Sequence, residues 1–334
     1  MKINHFDTNR AVLIIAEIGN NHEGNYSLAE EMIHAAAQAG ADAVKFQTII
    51  PERLASIKNT KRIEQLKSMQ LRYEDFKKLS EVAKKQNVIF LSTPFDIESA
   101  KFLESFVPAF KISSGDCDFY PLLRQVAKTG KPVIFSSGLA DFDQVKKTKA
   151  FIESVWRENH ITQDMAVLHC VARYPTPKEE ANLDFIKTLQ ELGIVVGYSD
   201  HTLGIEAALL AVKQGVRIIE KHFTLDKNFS EFRDHQLSAD PAEFSELVRK
   251  IRNKEYPSDN GYFGFPKAFR DQIELHRSIV AARDLKLGSG IRAEDLDWVR
   301  PGGGLRPGEE NRLIGKILVR EILKGETILT QDVK

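Results

Sequence analysis

Two histidines are the residues of this sequence best suited to hold a metal ion. His201 closes the segment Gly197-Tyr-Ser-Asp-His201, and His222 closes Glu220-Lys-His222. Two neutral imidazoles, completed by water and substrate oxygens, suit Mn²⁺ or a similar divalent ion that keeps positions open for catalysis. Glu220 would share the strand face of His222 and orient it or hold a water. The alternative is that each histidine is a hydrogen-bonded core residue.

Two lysines point to an anionic ligand. Lys45 and Lys111 each end an apolar run and alternate with apolar residues, so both would project to the interior of a sheet. Lysine is rarely buried unless it is paired, which favours an anion nearby. Ser114-Gly115 and Ser136-Ser137-Gly138 add hydroxyl and backbone N–H groups ahead of predicted helices, as phosphate sites do. Each turn alone is better explained as an ordinary strand-to-helix turn, and only their convergence with the lysines favours a phosphate.

A carboxylate follows the first apolar run. Glu17 opens the polar stretch Glu17-Ile-Gly-Asn-Asn-His-Glu-Gly24 and is the better candidate for chemistry there, because it lies at the strand end. His22 and Glu23 would only fix the loop. Cys170 is expected to pack as a small apolar residue.

Eight short apolar runs would position these residues. Each is followed by a helical pattern, which is typical of βα units around a parallel sheet. The runs are 12–16, 43–46, 88–91, 109–112, 133–135, 165–168, 194–197 and 217–219. Eight such units in about 255 residues predict a (β/α)₈ TIM barrel, whose chemistry lies at the C-terminal ends of the strands. An open doubly wound sheet is the rival, but no G-x-G-x-x-G follows the first run.

Length and composition exclude several classes of protein. The chain has 334 residues, more than the roughly 250–300 at which one core stops growing, so we expect a large domain and a small one. Lys+Arg and Asp+Glu both number 47, which argues against nucleic acid or an acidic membrane as a partner. Nowhere do 18 apolar residues run together, and we expect no signal peptide or membrane span. Two distant cysteines fit a cytoplasmic protein.

A second composition begins near Arg277. We predict a barrel domain over 1–265, a linker over 266–276 and a small, mostly β domain over 277–334. The small domain contains an internal repeat, because Arg283-Asp284-Leu285 with Asp295 recurs 37 residues later as Arg320-Glu321-Ile322 with Asp332. Its core would be marginal at this size, so it should pack on the barrel or on another subunit.

Taken together, these residues resemble the sialic acid synthase family, which makes nine-carbon ulosonic acids from phosphoenolpyruvate and an aminosugar. The tail resembles the antifreeze-like (SAF) domain of that family, with Arg300-Pro301-Gly302 in the expected loop. The matching blocks are Ala16-Glu-Ile-Gly19, Asn21-His-Glu-Gly24, Val44-Lys-Phe-Gln47, Ser92-Thr-Pro-Phe95, Lys111-Ile-Ser-Ser-Gly115, His169-Cys170, Tyr174-Pro-Thr-Pro177, Ser199-Asp-His-Thr202 and Glu220-Lys-His-Phe-Thr224.

The resemblance implies a role for each of these positions. His201 and His222 would bind a divalent ion, Mn²⁺ first, with Mg²⁺ or Co²⁺ as alternatives. Glu17 would match an active-site acid. Together with the place of Glu220 beside His222, this predicts a catalytic group of Glu17, Glu220 and His222, with the general base left open between the two glutamates. The phosphoenolpyruvate residues would be Lys45, Lys111, Ser114, Ser136 and Ser199, and the sugar-side residues Gln47, Tyr174 and Asp234. The resemblance further implies a homodimer in which the SAF domain covers the partner's barrel and brings Arg300 to its sugar.

Two departures from the family pattern concern the acceptor. The chain has Ala172-Arg173 after His-Cys where a small polar residue is usual, and Phe232-Arg233 where Gly-Pro often precedes Asp-His. They put N-acetylmannosamine in doubt and favour a related aminosugar, such as a 2,4-diacetamido-2,4,6-trideoxyhexose, or a shorter or acidic aldose.

Two other functions compete with the synthase. A Schiff-base lysine aldolase would use Lys45, Lys111 or Lys221 at a strand end of the same barrel. A carbohydrate-binding protein without catalytic activity would need only the tail, and it leaves the polar strand ends unexplained.

Overall fold

The computed structural model describes residues 1–258, 261 and 272–334. Within them the strands are β1 (Lys2–Ile3), β2 (Phe6–Asp7), β3 (Leu13–Gly19), β4 (Ala43–Thr48), β5 (Ile89–Pro94), β6 (Phe110–Ile112), β7 (Val133–Ser136), β8 (Met165–Cys170), β9 (Val195–Asp200), β10 (Ile218–His222), β11 (Ser278–Ala281) and β12 (Leu296–Val299).

Strands β3 to β10 form the predicted TIM barrel. They pair in parallel in the order β5-β4-β3-β10-β9-β8-β7-β6, and β5 lies beside β6, so the sheet curls into a nearly closed barrel. Each of the eight predicted runs coincides with one of these strands, and the observed strands extend up to three residues further into the polar ends. The fold prediction is therefore confirmed.

Helices cover the outside of the barrel. They are α1 (Tyr26–Gln38), α2 (Pro51–Leu54), α3 (Thr60–Ser68), α4 (Tyr73–Lys85), α5 (Ile97–Leu103), α6 (Tyr120–Ala127), α7 (Phe142–Glu158), α8 (Phe185–Gln190), α9 (Glu206–Lys213), α10 (Arg233–Leu237) and α11 (Pro241–Asn253). Their ends follow local chemistry. The Asp141 side chain accepts a hydrogen bond from the Gln144 N–H at the start of α7, and Gly40, which follows the end of α1, has a φ of +90°.

The interior of the barrel is apolar at one end and charged at the other. Successive inward positions of β3 are Leu13, Ile15 and Glu17, and those of β10 are Ile218, Glu220 and His222. The apolar members form an inner core that also contains Met1 and Ile3 from the N-terminal hairpin, together with Ala43, Ile89, Leu91, Ala109, Ile134, Ala166 and Leu168. The charged members are thereby confined to the C-terminal mouth, where barrel enzymes carry their chemistry.

Residues 272–334 form a second, smaller core. β11 and β12 pair antiparallel, and further bridges join residues near 285 and 322 and near 290 and 317. The internal repeat is also present in the hydrogen bonds of the tail. Arg283 Nε donates to Asp295 Oδ1 at 2.8 Å, and Arg320 Nε donates to Asp332 Oδ1 at 2.6 Å. The two halves of the tail are thus built around equivalent arginine–aspartate pairs.

The tail packs on the barrel mouth of its own chain. The Arg300 N–H donates to the carbonyl of Leu54 and the Arg300 carbonyl accepts from the Ser56 N–H, both at 2.8 Å. An ion pair of 2.5 Å joins Arg53 to Asp297 beside this bridge. The boundary predicted at 265 and most of the predicted linker, 266–271, lie outside the described residues, while Ile273–Leu275 form a single 3₁₀ turn.

Candidate active site

A cluster of two lysines and two glutamates fills the barrel mouth. Strand register places Glu17 directly beside Lys45, and Lys45 Nζ lies 2.6 Å from Glu17 Oε2. The Lys45 ammonium also donates to Thr93 Oγ1 at 3.2 Å. On the other side of Glu17, Gln47 Nε2 donates to Oε1 at 3.1 Å. The inward residues of β3 and β4 therefore form one connected polar network.

Glu220 is the common acceptor of this cluster. Its Oε1 accepts from Lys111 Nζ at 3.1 Å and from Ser199 Oγ at 2.8 Å, and its Oε2 lies 3.7 Å from Lys45 Nζ. All four charged side chains of the cluster are at most 6% exposed. Their charges sum to zero, so the lysines neutralise the glutamates until another anion arrives.

The two carboxylates have opposite proton affinities. Burial opposes charge on Glu220, but the ammonium groups of Lys111 and Lys45 and the Ser199 hydroxyl outweigh it and hold its pKa at about 2. Burial raises the pKa of Glu17 above its usual value, with Lys45 opposing the rise and Glu220 adding to it. Two acids in one site whose environments separate their pKa values are suited to different roles.

The two predicted metal ligands lie side by side. The rings of His201 and His222 have centroids 5.5 Å apart, and the Tyr174 ring lies against His201 at 4.1 Å. Val171 O lies 2.7 Å from His201 Nδ1, so this nitrogen carries a proton and Nε2 is the ring nitrogen left for a metal ion. Burial, followed by the charges of His201 and Lys45, lowers the pKa of His222 well below its usual value, and this ring is neutral.

The histidine pair fits a divalent ion with open coordination positions. His222 Nδ1 is buried and has no hydrogen-bond partner in the described part of the chain. Burial acts to lower the pKa of His201, but Cys170, whose Sγ lies 3.7 Å away, raises it, so metal binding would release a proton. No third histidine, cysteine or carboxylate among the described residues completes a ligand set, which leaves the remaining positions to water or substrate.

The predicted phosphate turns lie next to this cluster. Ser114 follows β6 and its Oγ accepts from the Gly138 N–H at 3.1 Å, which joins the two Ser-Gly turns. Ser136 ends β7, and its hydroxyl is buried without a partner among residues 1–258, 261 and 272–334. Ser137 instead donates to the carbonyl of Leu168. Ser114 and Ser136 therefore remain candidates for an anion, whereas the Ser137 hydroxyl is used within the fold.

The predicted sugar-side residues lie at different points of the rim. Tyr174 lines an open cavity of about 510 Å³ together with Arg173, Pro175, Thr176, Pro177, Lys178, Thr202 and Leu203. Gln47 accepts from Asn20 Nδ2 at 2.9 Å. Asp234 belongs to α10, and its carbonyl accepts from Ser238 Oγ, which in turn accepts from Asn21.

Two contacts that the sequence did not predict belong to the site. Asp116, fully buried, accepts from Arg300 Nη2 at 3.0 Å and from Arg277 Nε at 2.6 Å. Cys170 is buried as expected but lies against His201, which its neighbours along the chain do not reveal. Lys221 does not join the cluster, because its ammonium donates to Asp200 Oδ2 at 2.9 Å and to the carbonyl of Thr202.

Comparison with known proteins places this geometry in a family. Residues 32–261 match the NeuB family and residues 276–334 match the SAF domain. An N,N'-diacetyllegionaminic acid synthase of Legionella pneumophila is 37% identical over 96% of this chain and 94% of its own length. A pseudaminic acid synthase of Campylobacter jejuni is 34% identical over 99% of both chains. The crystal structure of the Bacillus subtilis spore coat polysaccharide biosynthesis protein SpsE superposes with a TM-score of 0.87 at 33% identity, covering 100% of this chain and 99% of the other.

These matches extend over the barrel and the tail alike. They confirm the resemblance that the sequence motifs indicated, and the named synthases among the relatives make this chain an acid synthase. The chain belongs to the NeuB family.

Proposed function

We propose that this chain condenses phosphoenolpyruvate with an N-acylated aminosugar to give a nonulosonic acid and inorganic phosphate. C3 of phosphoenolpyruvate forms a bond to the aldehyde carbon of the open-chain sugar, and water adds to C2. The bond between C2 and the phosphate oxygen then breaks, which releases phosphate and leaves a 2-keto-3-deoxy acid.

The observation that carries this proposal is the self-neutralised cluster of two lysines and two glutamates at the barrel mouth. Lys45 and Lys111 are buried and lie within 3.7 Å of the glutamate carboxylates. A bound anion would take over or share the role of these carboxylates as counter-ions of the lysines. Ser199 donates to the shared carboxylate of Glu220, Ser114 lies in the turn after the strand of Lys111, and Ser136 ends the neighbouring strand β7. Pre-organised charges of this kind stabilise an anionic substrate and the charge that develops during reaction.

The two glutamates have separate roles in this proposal. Glu17, whose pKa burial raises, exchanges protons with the water that adds at C2, while Glu220 stays ionised and holds both lysines in place. His201 and His222 would hold Mn²⁺, or alternatively Mg²⁺ or Co²⁺, which supplies Lewis-acid polarisation of the sugar aldehyde when bound. In this proposal the sugar is bound at the rim of the barrel by Gln47, Tyr174 and Asp234.

The acceptor we propose is a 2,4-diacetamido-2,4,6-trideoxyhexose in preference to N-acetylmannosamine. Arg173, one of the two departures from the family pattern, lines the cavity beside Tyr174 and is held by both carboxylate oxygens of Glu180 at 2.8 Å. The L. pneumophila relative is named for a diacetylated product. A second N-acyl group would lie against this polar rim.

We propose further that the protein is a cytoplasmic homodimer that exchanges its tails. The tail that caps a barrel would then come from the partner subunit and make the contacts seen here within one chain. Both cysteines are buried thiols, in keeping with a reducing compartment. Among the described residues no helix has the length and apolarity to cross a bilayer.

Phosphate release tests the reaction. The protein is incubated with phosphoenolpyruvate and a panel of aminosugars, with and without EDTA, and the product is identified by mass spectrometry. Lys111→Met should abolish phosphate release, whereas Lys128→Met, at an exposed helix end, should leave it unchanged. Release that does not depend on any acceptor would refute the proposal. Borohydride trapping of a substrate adduct on Lys45 or Lys111 would indicate the aldolase instead.

A further inference from the structure

A buried aspartate joins the barrel mouth to the tail. Asp116 lies in the 113–116 turn directly after β6, the turn that also carries Ser114. Its Oδ1 accepts from Arg277 Nε at 2.6 Å, and its Oδ2 accepts from Arg300 Nη2 at 3.0 Å and from Ser113 Oγ at 2.6 Å. One carboxylate of the barrel thus pairs with two arginines of the tail, the fully buried Arg277 and the partly buried Arg300.

Arg277 uses the contact to fix the tail. Besides Asp116, its guanidinium donates to the carbonyls of Arg53 at 2.9 Å, of Trp298 at 2.6 Å and of Phe95. It also lies 4.5 Å from the centre of the Phe119 ring. A guanidinium with no exposed surface is stable only when its charge is compensated, and Asp116 is the carboxylate that it contacts.

Arg300 retains a donor that the fold does not use. Its Nε is buried and lacks a partner within the described residues, while Nη2 is held by Asp116 and Ser113. The approach is close enough that a Cβ at Gly115 would lie 2.5 Å from Nη2. Although burial opposes its charge, the two arginines lower the pKa of Asp116, so the carboxylate stays ionised. Arg300 is thereby held through Nη2 while its Nε–H is not used by the described residues.

We propose that Asp116 is a positioning residue, which seats the tail on the barrel through Arg277 and aims Arg300 at the acceptor sugar. The second half of this inference rests on the proposed function, with Arg300 at the sugar as the family resemblance implies. Asp116 would make the same contacts whether the tail belongs to the same chain or, in the proposed dimer, to its partner.

Steady-state kinetics of the whole chain test whether Asp116 positions Arg300. Asp116→Asn should raise the KM for the acceptor about 10-fold or more and change the KM for phosphoenolpyruvate less than about 3-fold. The double variant Asp116→Asn, Arg300→Gln should be no worse than Arg300→Gln alone, because the aspartate acts through the arginine. Asp118→Asn is the matched control, since its partner Arg306 is 56% exposed and 3.8 Å away, and it should behave like the wild type.

Fluorescence tests the docking of the tail on the barrel independently of activity. Trp298 of the tail lies 5.7 Å from the Phe119 ring of the barrel, and Trp156 is the other tryptophan of the chain. In a Trp156→Phe background, Asp116→Asn should shift the Trp298 emission to longer wavelength as the tail undocks. Ser113→Ala, which removes one hydrogen bond to Asp116, should give a smaller shift and about a 3-fold higher acceptor KM, and it replaces Asp116→Asn if that variant does not fold.

The outcomes separate this inference from the proposed function. Unchanged emission, equal rises in both KM values, or additive effects of Asp116→Asn and Arg300→Gln would each overturn the positioning role. If Asp116→Asn does not fold, an acceptor KM unchanged by Ser113→Ala would overturn it too. A wild-type protein that releases no phosphate with any acceptor would instead refute the proposed function, and the emission of Trp298 would still decide whether Asp116 seats the tail.

Discussion

Replacing Glu220 by glutamine isolates the charge that balances the two lysines. Glutamine has nearly the same shape and can still accept hydrogen bonds from Lys111 and Ser199, which lie 3.1 and 2.8 Å from Oε1. What Glu220→Gln removes is the negative charge that faces both ammonium groups. The cluster then carries one surplus positive charge in a buried site.

The cost follows from the proton affinity of the carboxyl. Holding the pKa of Glu220 at about 2, against an ordinary value of 4.5, corresponds to about 3 kcal/mol of stability. Because the folded state depresses this pKa, the contribution is complete above pH 4.5 and is lost as the pH falls towards 2. Breaking a buried ion pair by removing one partner costs a similar ~3–5 kcal/mol. At pH 7 we therefore expect Glu220→Gln to lose about 3 kcal/mol.

Urea unfolding at pH 7, followed by circular dichroism, measures this loss. Glu153→Gln is the matched control, because Glu153 pairs with Lys149 on the surface of α7 and should lose less than about 0.5 kcal/mol. Inorganic phosphate should stabilise Glu220→Gln more than the wild type, since it supplies the missing negative charge. A variant as stable as the wild type, or one that phosphate stabilises no more than the wild type, would refute the role of Glu220 as counter-ion.

Three further predictions concern the metal, the proton and the seat of the tail. His222→Ala should lose Mn²⁺ binding measured by titration calorimetry together with acceptor-dependent phosphate release, and near-normal turnover with added Mn²⁺ would contradict the histidine pair as the metal site. Glu17→Gln should lower kcat by about 10²–10⁴-fold while circular dichroism stays unchanged; a loss below 10-fold would exclude it as the proton-transfer group. Gly115→Ala should undock the tail and shift Trp298 emission to longer wavelength, because the added Cβ would lie 2.5 Å from both Arg300 Nη2 and the carbonyl of Leu275. Gly290→Ala, where a Cβ meets only Ile317 at 3.7 Å, is its control and should leave the emission unchanged.

The sequence by itself determined the architecture. Apolar residues at every second position, as in Leu13 and Ile15, ended at a polar residue in each of eight runs, and that pattern predicts both a buried strand and the face on which the strand ends become polar. Arg283 and Asp295 recur 37 residues later as Arg320 and Asp332. This repeat likewise predicts that the tail has two similar halves. Such signals depend on residues within a few positions of one another, or on the repetition of such a local pattern, which is why they can be interpreted without a structure.

Tertiary structure decided which of these residues act on one another. Glu220 and Glu17 were equal candidates for the base in the sequence, and only the register of β3, β4 and β10, with the neighbours that it brings, gave one of them two lysines and raised the pKa of the other. No local pattern marks Asp116, because its arginine partners lie 161 and 184 residues away. Ion pairing between distant residues depends on strand order, burial and the docking of the tail, and none of these is contained in the local pattern of the chain.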